Sequence, residues 1–328
     1  MRAAWEQAEG GLLGLLVGDA LGVPYEFHEP RDIPSREQIQ MVPPPGFPRS
    51  YSHVPPGTWS DDGAQALCLL DSLLACRDWN PDHFASRLLA WYREGYLAVD
   101  RKIFDVGIQT GAALDRLAAG IPPLEAGLSG ERNNGNGSLM RTLPIVLLHK
   151  ADDASLVSLA HAQSLLTHAH PRSQVCCALY ALWARSEIRR VSDPWADAVA
   201  SLRSCYAPHP VFAGELEFVL KAAIRPPAGT GYVVDCLLSA KHACRERTFE
   251  SIVQAAISFG HDTDTTACVA GGIAGIRHGA HGIPARWLTA LRGRETLDPI
   301  LDRLKSRFPG AYLNVGQNAS RSHDTTFL

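Results

Sequence analysis

Apolar residues recur at intervals of three and four positions along most of the chain, the spacing that places them on one face of an α-helix. The pattern predicts helices over residues 63–76, 82–94, 107–118, 138–149, 155–168, 173–189, 195–205, 215–223, 232–245, 249–258, 264–278, 285–292 and 297–306. No run of alternating apolar and polar residues is long enough to predict a β-strand. The sequence therefore predicts an all-α protein.

The first apolar segment, residues 3–22, carries glycines at four-residue spacing. Glycine weakens an isolated helix, but a stripe of glycines lets the backbone of a second helix approach closely. We therefore predict a buried helix whose glycine face packs against another helix. The glycines concerned are Gly10, Gly14, Gly18 and Gly22.

Residues 29–56 are rich in proline and include the run Pro43-Pro44-Pro45. Proline removes a backbone donor and disfavours helix, so the segment is predicted to be an irregular loop. A loop of this length within a compact domain often serves as a lid or a binding segment. No linker interrupts the helical pattern, so we expect one domain over residues 1–313. The polar tail, residues 314–328, is expected to be disordered.

Composition narrows the classes of function. The formal net charge of −3 does not favour a protein held on nucleic acid by phosphate neutralisation, but it leaves nucleic acid open as a substrate. The eight cysteines form no CxxC pair, as expected of reduced thiols in a cytoplasmic protein. Glu6 and Glu9 precede the apolar run 11–17, where a signal peptide would be basic. No uncharged run reaches the roughly 18 residues that span a bilayer.

Two acidic segments each precede a predicted helix: GTWSDD at residues 57–62 and GHDTDTT at residues 260–266. One explanation is helix capping, because Ser, Thr and Asp accept hydrogen bonds from the free amides of a first turn. One acidic residue is enough for a cap, whereas two adjacent carboxylates repel each other unless a cation or proton intervenes. A shared cation site is the second explanation. Ligands that are all oxygen suit Mg²⁺ or Mn²⁺ rather than Zn²⁺.

A glycine-rich turn, GNGSLMR at residues 135–141, leads into another predicted helix. Its backbone amides could hold a pyrophosphate, although such residues are also ordinary in structural turns. His168 and His170 stand two positions apart, so they do not share a helix face and do not form a HExxH-type zinc site. Taken singly, Glu26, Asp105 and Tyr232 are ordinary surface or core residues.

In this order, the segments resemble the ADP-ribosylglycohydrolase family. The resemblance extends from residue 11 to about residue 278 and rests on GLLGLLVGDALG, WSDDGAQ, GNGSLMR, THAHP, GTGYVVDCL and SFGHDTDTTACVAGGIAG. It implies a compact orthogonal multi-helix bundle with a cleft that holds two divalent cations, Mg²⁺ or alternatively Mn²⁺. The sequence departs from the family's pattern at Ser60, where many relatives have Thr, and at Ser138-Leu139, where relatives usually have two small residues.

The resemblance also implies roles for single residues. The matches to the family's metal ligands are Ser60, Asp61, Asp62, Asp262, Asp264 and Thr265. Those to its substrate-binding residues are Gly135, Asn136, Gly137, Ser138, Met140, His168 and Tyr232. The residues expected to take part in catalysis are Glu26, Asp61, Asp105 and Asp264, with Glu26 or a metal-bound carboxylate as the general base.

The function expected from this resemblance is hydrolysis of the ribose C1″ glycosidic bond, which releases ADP-ribose from a modified target. The preferred substrate is mono-ADP-ribosylated arginine on a protein, and Asp105 is the only argument from the sequence for arginine. Serine-, nucleic-acid- and guanidine-linked ADP-ribose stay open. So do two other classes: a phosphohydrolase, which would attack phosphorus instead of carbon, and a non-catalytic ADP-ribose-binding protein.

Overall fold

Residues 2–308, which the computed structural model describes, form α-helices joined by turns and loops, with no β-strand among them. The fourteen helices are α1 (Arg2–Gly22), α2 (Asp61–Cys76), α3 (Pro81–Glu94), α4 (Ile108–Ala118), α5 (Leu143–Leu148), α6 (Asp153–Leu165), α7 (Pro171–Ile188), α8 (Pro194–Tyr206), α9 (Pro210–Ala222), α10 (Val233–Ala243), α11 (Phe249–Ile257), α12 (Thr263–His278), α13 (Ala285–Ala290) and α14 (Arg294–Lys305). None of the helices in this part of the chain is both long and apolar enough to cross a membrane.

The predicted all-α class is confirmed, and most helices lie within a few residues of their predicted bounds. Two predictions were wrong in their extent. The helix predicted over residues 138–149 is only α5, because residues 138–140 belong to a turn in which the amides of Leu139 and Met140 donate to the Asn136 carbonyl. The helix predicted over residues 215–223 starts earlier, at Pro210, where proline suits a first helical position. The tail, residues 314–328, lies outside the described residues.

Helix α1 is buried from Gly10 to Gly22 and packs against α12 through its glycines. A Cβ atom added to Gly14 would lie 2.3 Å from the carbonyl oxygen of Gly271, and one added to Gly18 would lie 2.1 Å from that of Ala267. The two backbones are therefore in direct contact, as the glycine stripe predicts. Alanine at either position would force the helices apart.

The end of α1 also positions the start of both acidic helices. The carboxylate of Asp19 accepts hydrogen bonds from the amides of Ser60 and Gly63, at 2.9 and 2.7 Å, and so holds the first turn of α2. The hydroxyl of Thr263, the first residue of α12, donates to the carbonyl of Gly22 at 2.8 Å. Because both helices begin beside one end of α1, their N-termini are brought together.

The proline-rich segment is irregular, as predicted, apart from two short 3₁₀ turns at Pro30–Asp32 and Arg36–Gln38. The hydroxyl of Tyr25 anchors it by donating to the Gln40 carbonyl at 2.8 Å and accepting from the Gln40 amide at 3.0 Å. The end of the loop returns to the 3₁₀ turn that follows α1, where the amide of Ser50 donates to the carbonyl of Pro24 at 3.1 Å. This return places the residues after position 50 beside the acidic helix starts.

Candidate active site

Acidic side chains from four separate parts of the chain line one cleft of about 270 Å³. They come from the segment just after α1, the start of α2, the segment before α4 and the start of α12. The glycine-rich turn also lines the cleft, next to Asp262. The acidic residues in its lining are Glu26, Asp61, Asp62, Asp105 and Asp262.

Two overlapping groups of carboxylates are close enough to share a cation. Asp19, Asp62 and Asp264 form one group, and Glu26, Asp262 and Asp264 form the other. Within each group the candidate ligand oxygens lie within 4.8 Å of one another. Since Asp264 belongs to both groups, the arrangement offers two adjacent positions rather than two unrelated ones.

Three of these carboxylates are each held by one oxygen only. Asp62 Oδ1 accepts from the Thr265 hydroxyl at 3.3 Å. Asp264 Oδ1 accepts from the Thr265 amide at 2.8 Å, and Asp262 Oδ2 accepts from the Asn136 side-chain amide at 2.9 Å. One oxygen of each carboxylate is thus fixed in orientation by a donor.

The second oxygen of each carboxylate is buried without a hydrogen-bond partner in the described part of the chain. These atoms are Asp62 Oδ2, Asp262 Oδ1 and Asp264 Oδ2. Glu26 Oε2 is likewise buried without a hydrogen-bond partner among the described residues. Buried carboxylate oxygens without partners are costly unless a proton or a cation satisfies them. The residues therefore fit a pair of hard divalent cations with oxygen ligands.

The pKa values of the clustered carboxyl groups are raised, which also indicates that they need protons or cations. Burial, and then the neighbouring Asp105, Asp262 and Asp61 carboxylates, raise the pKa of Glu26 to about 11. Burial also raises the pKa of Asp62 and Asp264 well above the ordinary value, again with nearby carboxylates adding to the effect. The cluster cannot be fully ionised by itself, so its carboxylates must hold protons or cations.

Of the remaining predicted ligands, Asp61 and Thr265 line the cleft, whereas Ser60 does not. Asp61 Oδ2 accepts from the side-chain amide of Gln65 at 2.9 Å, and burial raises the pKa of Asp61 well above its ordinary value. The Ser60 hydroxyl accepts from the Asp62 amide at 3.3 Å, so it caps α2 in this structure. Both explanations of the acidic segments therefore apply, because Ser60 forms a cap while the aspartates beside it form a cluster.

Asp19 was missed by the sequence analysis. It is fully buried, and burial raises its pKa to about 7 although the amides of Ser60 and Gly63 act to lower it. The signal was present in the sequence, since a single carboxylate within an apolar helix requires a buried partner. That partner is the backbone of α2, which no local pattern reveals.

The glycine-rich turn is held to the start of α10. The amide of Asn136 donates to the Gly231 carbonyl at 3.1 Å, and the amide of Gly135 donates to Gln109 Oε1 at 3.3 Å. Among the described residues, the amides of Gly137 and Ser138 have no such acceptor. Ser138 is fully buried and does not line the cleft, so the Gly137 amide is the one in this turn that is available to a ligand.

Two predicted substrate-binding residues do not line the cleft. The Ser138 hydroxyl is buried beneath the turn, where it forms a hydrogen bond with the Ser164 hydroxyl at 2.9 Å, and Leu139 beside it is fully buried. The departure from the family at these two positions is thus absorbed by the core. Tyr232 is 37% exposed beside the cleft and accepts from Arg172 at 3.4 Å.

His168 lies against the glycine-rich turn, and its ring explains the glycines. A Cβ atom added to Gly137 would lie 2.9 Å from His168 Cε1, and one added to Gly135 would lie 3.4 Å from Nε2. Burial, and then the charge of Arg141, lower the pKa of His168 to about 3. The imidazole is therefore neutral near pH 7 and faces the cleft.

Asp105 is held at the mouth of the cleft by a residue of the proline-rich loop. The Tyr51 hydroxyl donates to Asp105 Oδ1 at 2.7 Å, and Asp105 itself has a left-handed backbone with φ of 56°. Tyr51 was missed by the sequence analysis because an irregular loop has no periodicity from which to infer direction. Phe27, which is 69% exposed, completes this edge and contacts the Tyr51 ring with centroids 5.9 Å apart.

An all-α bundle in which acidic helix starts face a glycine-rich turn defines the class of the ADP-ribosylglycohydrolases. The chain belongs to this family, because the family model described as ADP-ribosylglycohydrolase matches residues 1–314. The resemblance found in the sequence is thereby confirmed. The family comprises glycohydrolase enzymes, so the chain is assigned to the same class.

The chain is 30% identical to an ADP-ribosylarginine hydrolase Tri1 of Pseudomonas putida (strain GB-1), over 93% of this chain and 80% of the relative. It is 26% identical to an ADP-ribosyl-[dinitrogen reductase] glycohydrolase of Rhodospirillum rubrum, over 87% of this chain and 90% of the relative. A solved structure titled "ADP-ribosylglycohydrolase-related protein complex" superposes with a TM-score of 0.73 at 31% identity, covering 94% of this chain and 99% of that one.

Proposed function

We propose that this protein is a metal-dependent ADP-ribosylhydrolase that releases ADP-ribose from mono-ADP-ribosylated arginine on a protein. The observation that carries the proposal is the pair of carboxylate groups that share Asp264 and leave buried oxygens without partners beside the glycine-rich turn. The similarity to an ADP-ribosylarginine hydrolase supports the choice of arginine. So does Asp105, a carboxylate at the mouth of the same cleft.

The residues proposed to hold two divalent cations, Mg²⁺ or alternatively Mn²⁺, are Asp61, Asp62, Asp262 and Asp264, with the hydroxyls of Ser60 and Thr265. Asp19 joins one of the two carboxylate groups, and Glu26 joins the other. When bound, the cations supply a Lewis acid for the ribose hydroxyls and for the attacking water. Asn136 and Gln65 each donate to one carboxylate and so fix its orientation.

Cleavage of the glycosidic bond needs a nucleophile at C1″ and a stabilised leaving group. We assign proton acceptance from the attacking water to Glu26 Oε2, which has no donor of its own and would be ionised once cations offset the neighbouring carboxylates. We assign the leaving guanidinium to Asp105, whose carboxylate would form a charge-assisted contact with it. Tyr51 keeps that carboxylate oriented before substrate binds.

The diphosphate of ADP-ribose is assigned to the glycine-rich turn. Amide groups that point into a concave turn bind phosphate oxygens without a cationic side chain. Gly137 and the ring of His168 line this part of the cleft, and Asn136 of the same turn donates to Asp262 at 2.9 Å. Donors for an anion next to oxygens for a cation fit a substrate that has a diphosphate at one end of the ribose and a glycosidic bond at the other.

The test is to incubate the protein with arginine-linked and serine-linked ADP-ribosyl peptides and to identify the products by chromatography and mass. We expect intact ADP-ribose from the arginine-linked peptide in MgCl₂, none after EDTA treatment, and none from Asp61→Asn. Release of AMP would indicate attack on phosphorus instead. Binding of ADP-ribose without turnover of any linkage would refute the enzyme proposal, and faster turnover of the serine-linked peptide would refute arginine.

A further inference from the structure

Arg141, the last residue of the glycine-rich motif, is completely buried. No carboxylate forms an ion pair with it in the part of the chain that the structure describes. Its partners are neutral: Gln65 Oε1 at 2.7 Å, the Thr167 hydroxyl at 2.7 Å, Gln163 Oε1 at 3.0 Å and the Gln163 carbonyl at 2.9 Å. A guanidinium only donates hydrogen bonds, so each of these partners must accept.

This one-way donation sets the direction of the next hydrogen bond on the Gln65 side. Since Gln65 Oε1 accepts from Arg141, its Nε2 group must be the atom that points the other way. Nε2 donates to Asp61 Oδ2 at 2.9 Å. The amide of Gln65 therefore cannot flip, and Asp61 has one oxygen occupied and one left for the cleft.

The same argument applies on the Thr167 side, where it decides a proton position. The Thr167 hydroxyl has one proton, and it accepts from Arg141 Nη2. Its other contact is His168 Nδ1 at 2.7 Å, so the hydroxyl proton points at Nδ1 and that nitrogen accepts. If Nδ1 carried the proton instead, the buried hydroxyl proton of Thr167 would be left without a partner.

We infer that Arg141 and Thr167 are positioning residues that hold His168 as the neutral Nε2–H tautomer, with that N–H facing the glycine-rich turn as a donor to a phosphate oxygen. The role of the phosphate rests on the proposed function, whereas the tautomer does not. The position of Nε2 supports the assignment, because it would lie 3.4 Å and 3.3 Å from Cβ atoms added to Gly135 and Gly137. It follows that His168 is a fixed donor and takes no proton during the reaction.

The direct experiment is ¹⁵N NMR of the imidazole rings in the full-length protein, with the His168 resonances assigned from the His168→Gln variant. Between pH 5.5 and 8 we expect an unprotonated Nδ1 and a protonated Nε2, with no change of state across the range. A protonated Nδ1, or a ring that becomes doubly protonated near its ordinary pKa, would overturn the inference. This measurement needs neither turnover nor a bound ligand.

Paired variants separate the tautomer from simple packing. Thr167→Val keeps the shape but removes the hydroxyl, whereas Thr167→Ser keeps the hydroxyl. In Thr167→Val we expect both ring nitrogens to shift toward intermediate values and ADP-ribose to bind about fivefold more weakly by calorimetry, as for one lost hydrogen bond. Thr167→Ser should restore the wild-type ¹⁵N pattern and bind within about twofold of wild type. A role in packing alone would leave the nitrogen shifts of both variants unchanged.

Failure of this inference is distinguishable from failure of the proposed function. A protein with the Nε2–H tautomer and Thr167-dependent ADP-ribose binding, yet no hydrolysis of any linkage, would remove the enzyme proposal and keep the inference. Efficient release of ADP-ribose by a protein whose His168 carries its proton on Nδ1 would do the reverse. Variants of His168 itself test the donor directly. We expect His168→Phe to lose ADP-ribose binding and His168→Gln, which keeps an N–H donor, to retain it.

Discussion

Replacement of Asp264 by asparagine is expected to make the metal-free protein more stable and the enzyme inactive. Asp264 belongs to both carboxylate groups, whose oxygens lie within 4.8 Å of one another. Asparagine keeps an oxygen to accept from the Thr265 amide, so the first turn of α12 loses no hydrogen bond. Its NH₂ group would then face Asp62 and Glu26, where it donates instead of repelling.

The size of the effect follows from Coulomb's law. Two ionised carboxylates at 4.8 Å repel by about 3 kcal/mol at an effective dielectric constant of about 20. Protonation already relieves part of this repulsion in the metal-free protein. Removal of one charge should therefore stabilise the metal-free fold by about 1–3 kcal/mol, or about 2–6 °C in melting temperature. Wild type should gain about 2.7 kcal/mol from Mg²⁺ at one hundred times its dissociation constant, and Asp264→Asn much less.

The assay is thermal and urea unfolding of both proteins in EDTA and in MgCl₂, together with turnover of an arginine-linked ADP-ribosyl peptide. Asp298→Asn is the matched control, because Asp298 is exposed on α14 and pairs there with Arg294, away from the cluster. It should change stability by about 0.5 kcal/mol or less and keep the response to Mg²⁺. A metal-free Asp264→Asn protein that is less stable than wild type, or one that still turns over substrate, would refute the reasoning.

Three further predictions follow from the cluster and the fold. In EDTA, the free energy of unfolding should fall as pH rises from 7 to 9. The pKa of Glu26 is raised from 4.5 to about 11 in the folded protein, so protonated Glu26 stabilises the fold fully below about pH 4.5, and this stabilisation is lost as pH rises toward 11. Added Mg²⁺ should weaken or reverse this dependence on pH in the same melting experiment. Gly14→Ala should cost about 3 kcal/mol in urea unfolding, since the new methyl group meets the Gly271 carbonyl, whereas Gly214→Ala, with nothing within 4 Å, should gain about 0.5–1 kcal/mol. Asp105→Asn should lower kcat/KM for the arginine-linked peptide by about 30-fold through loss of one charge-assisted contact, and a similar loss on a serine-linked peptide would contradict its role at the guanidinium.

The periodicity of apolar residues was enough to predict the helices because most of them bury one face against a common core. It was not enough to find their ends. The apolar run that enters α5 has helical spacing from residue 138, yet its first residues form a turn whose amides donate to the Asn136 carbonyl. Spacing records which side chains are buried and does not record where backbone hydrogen bonds lead.

In the candidate site, too, some residues could be predicted from local sequence and others could not. Asp62 and Asp264 stood out because each has an acidic neighbour nearby in the sequence, and repulsion between such neighbours asks for an explanation. Asp19 and Tyr51 have no acidic or periodic context, and their partners are 41 or more positions away. Residues defined by partners distant in sequence become visible only when the chain is folded.

The glycine contact between α1 and α12 has a consequence for biosynthesis. The first acidic helix is translated early, but its oxygens meet those of Asp264 only after α12 has left the ribosome and closed against the oldest part of the chain. Nascent or prematurely terminated products that lack α12 would have separated carboxylates and no shared cation position. Binding of the proposed cations would therefore follow this long-range closure and stabilise it, instead of nucleating the early steps of folding.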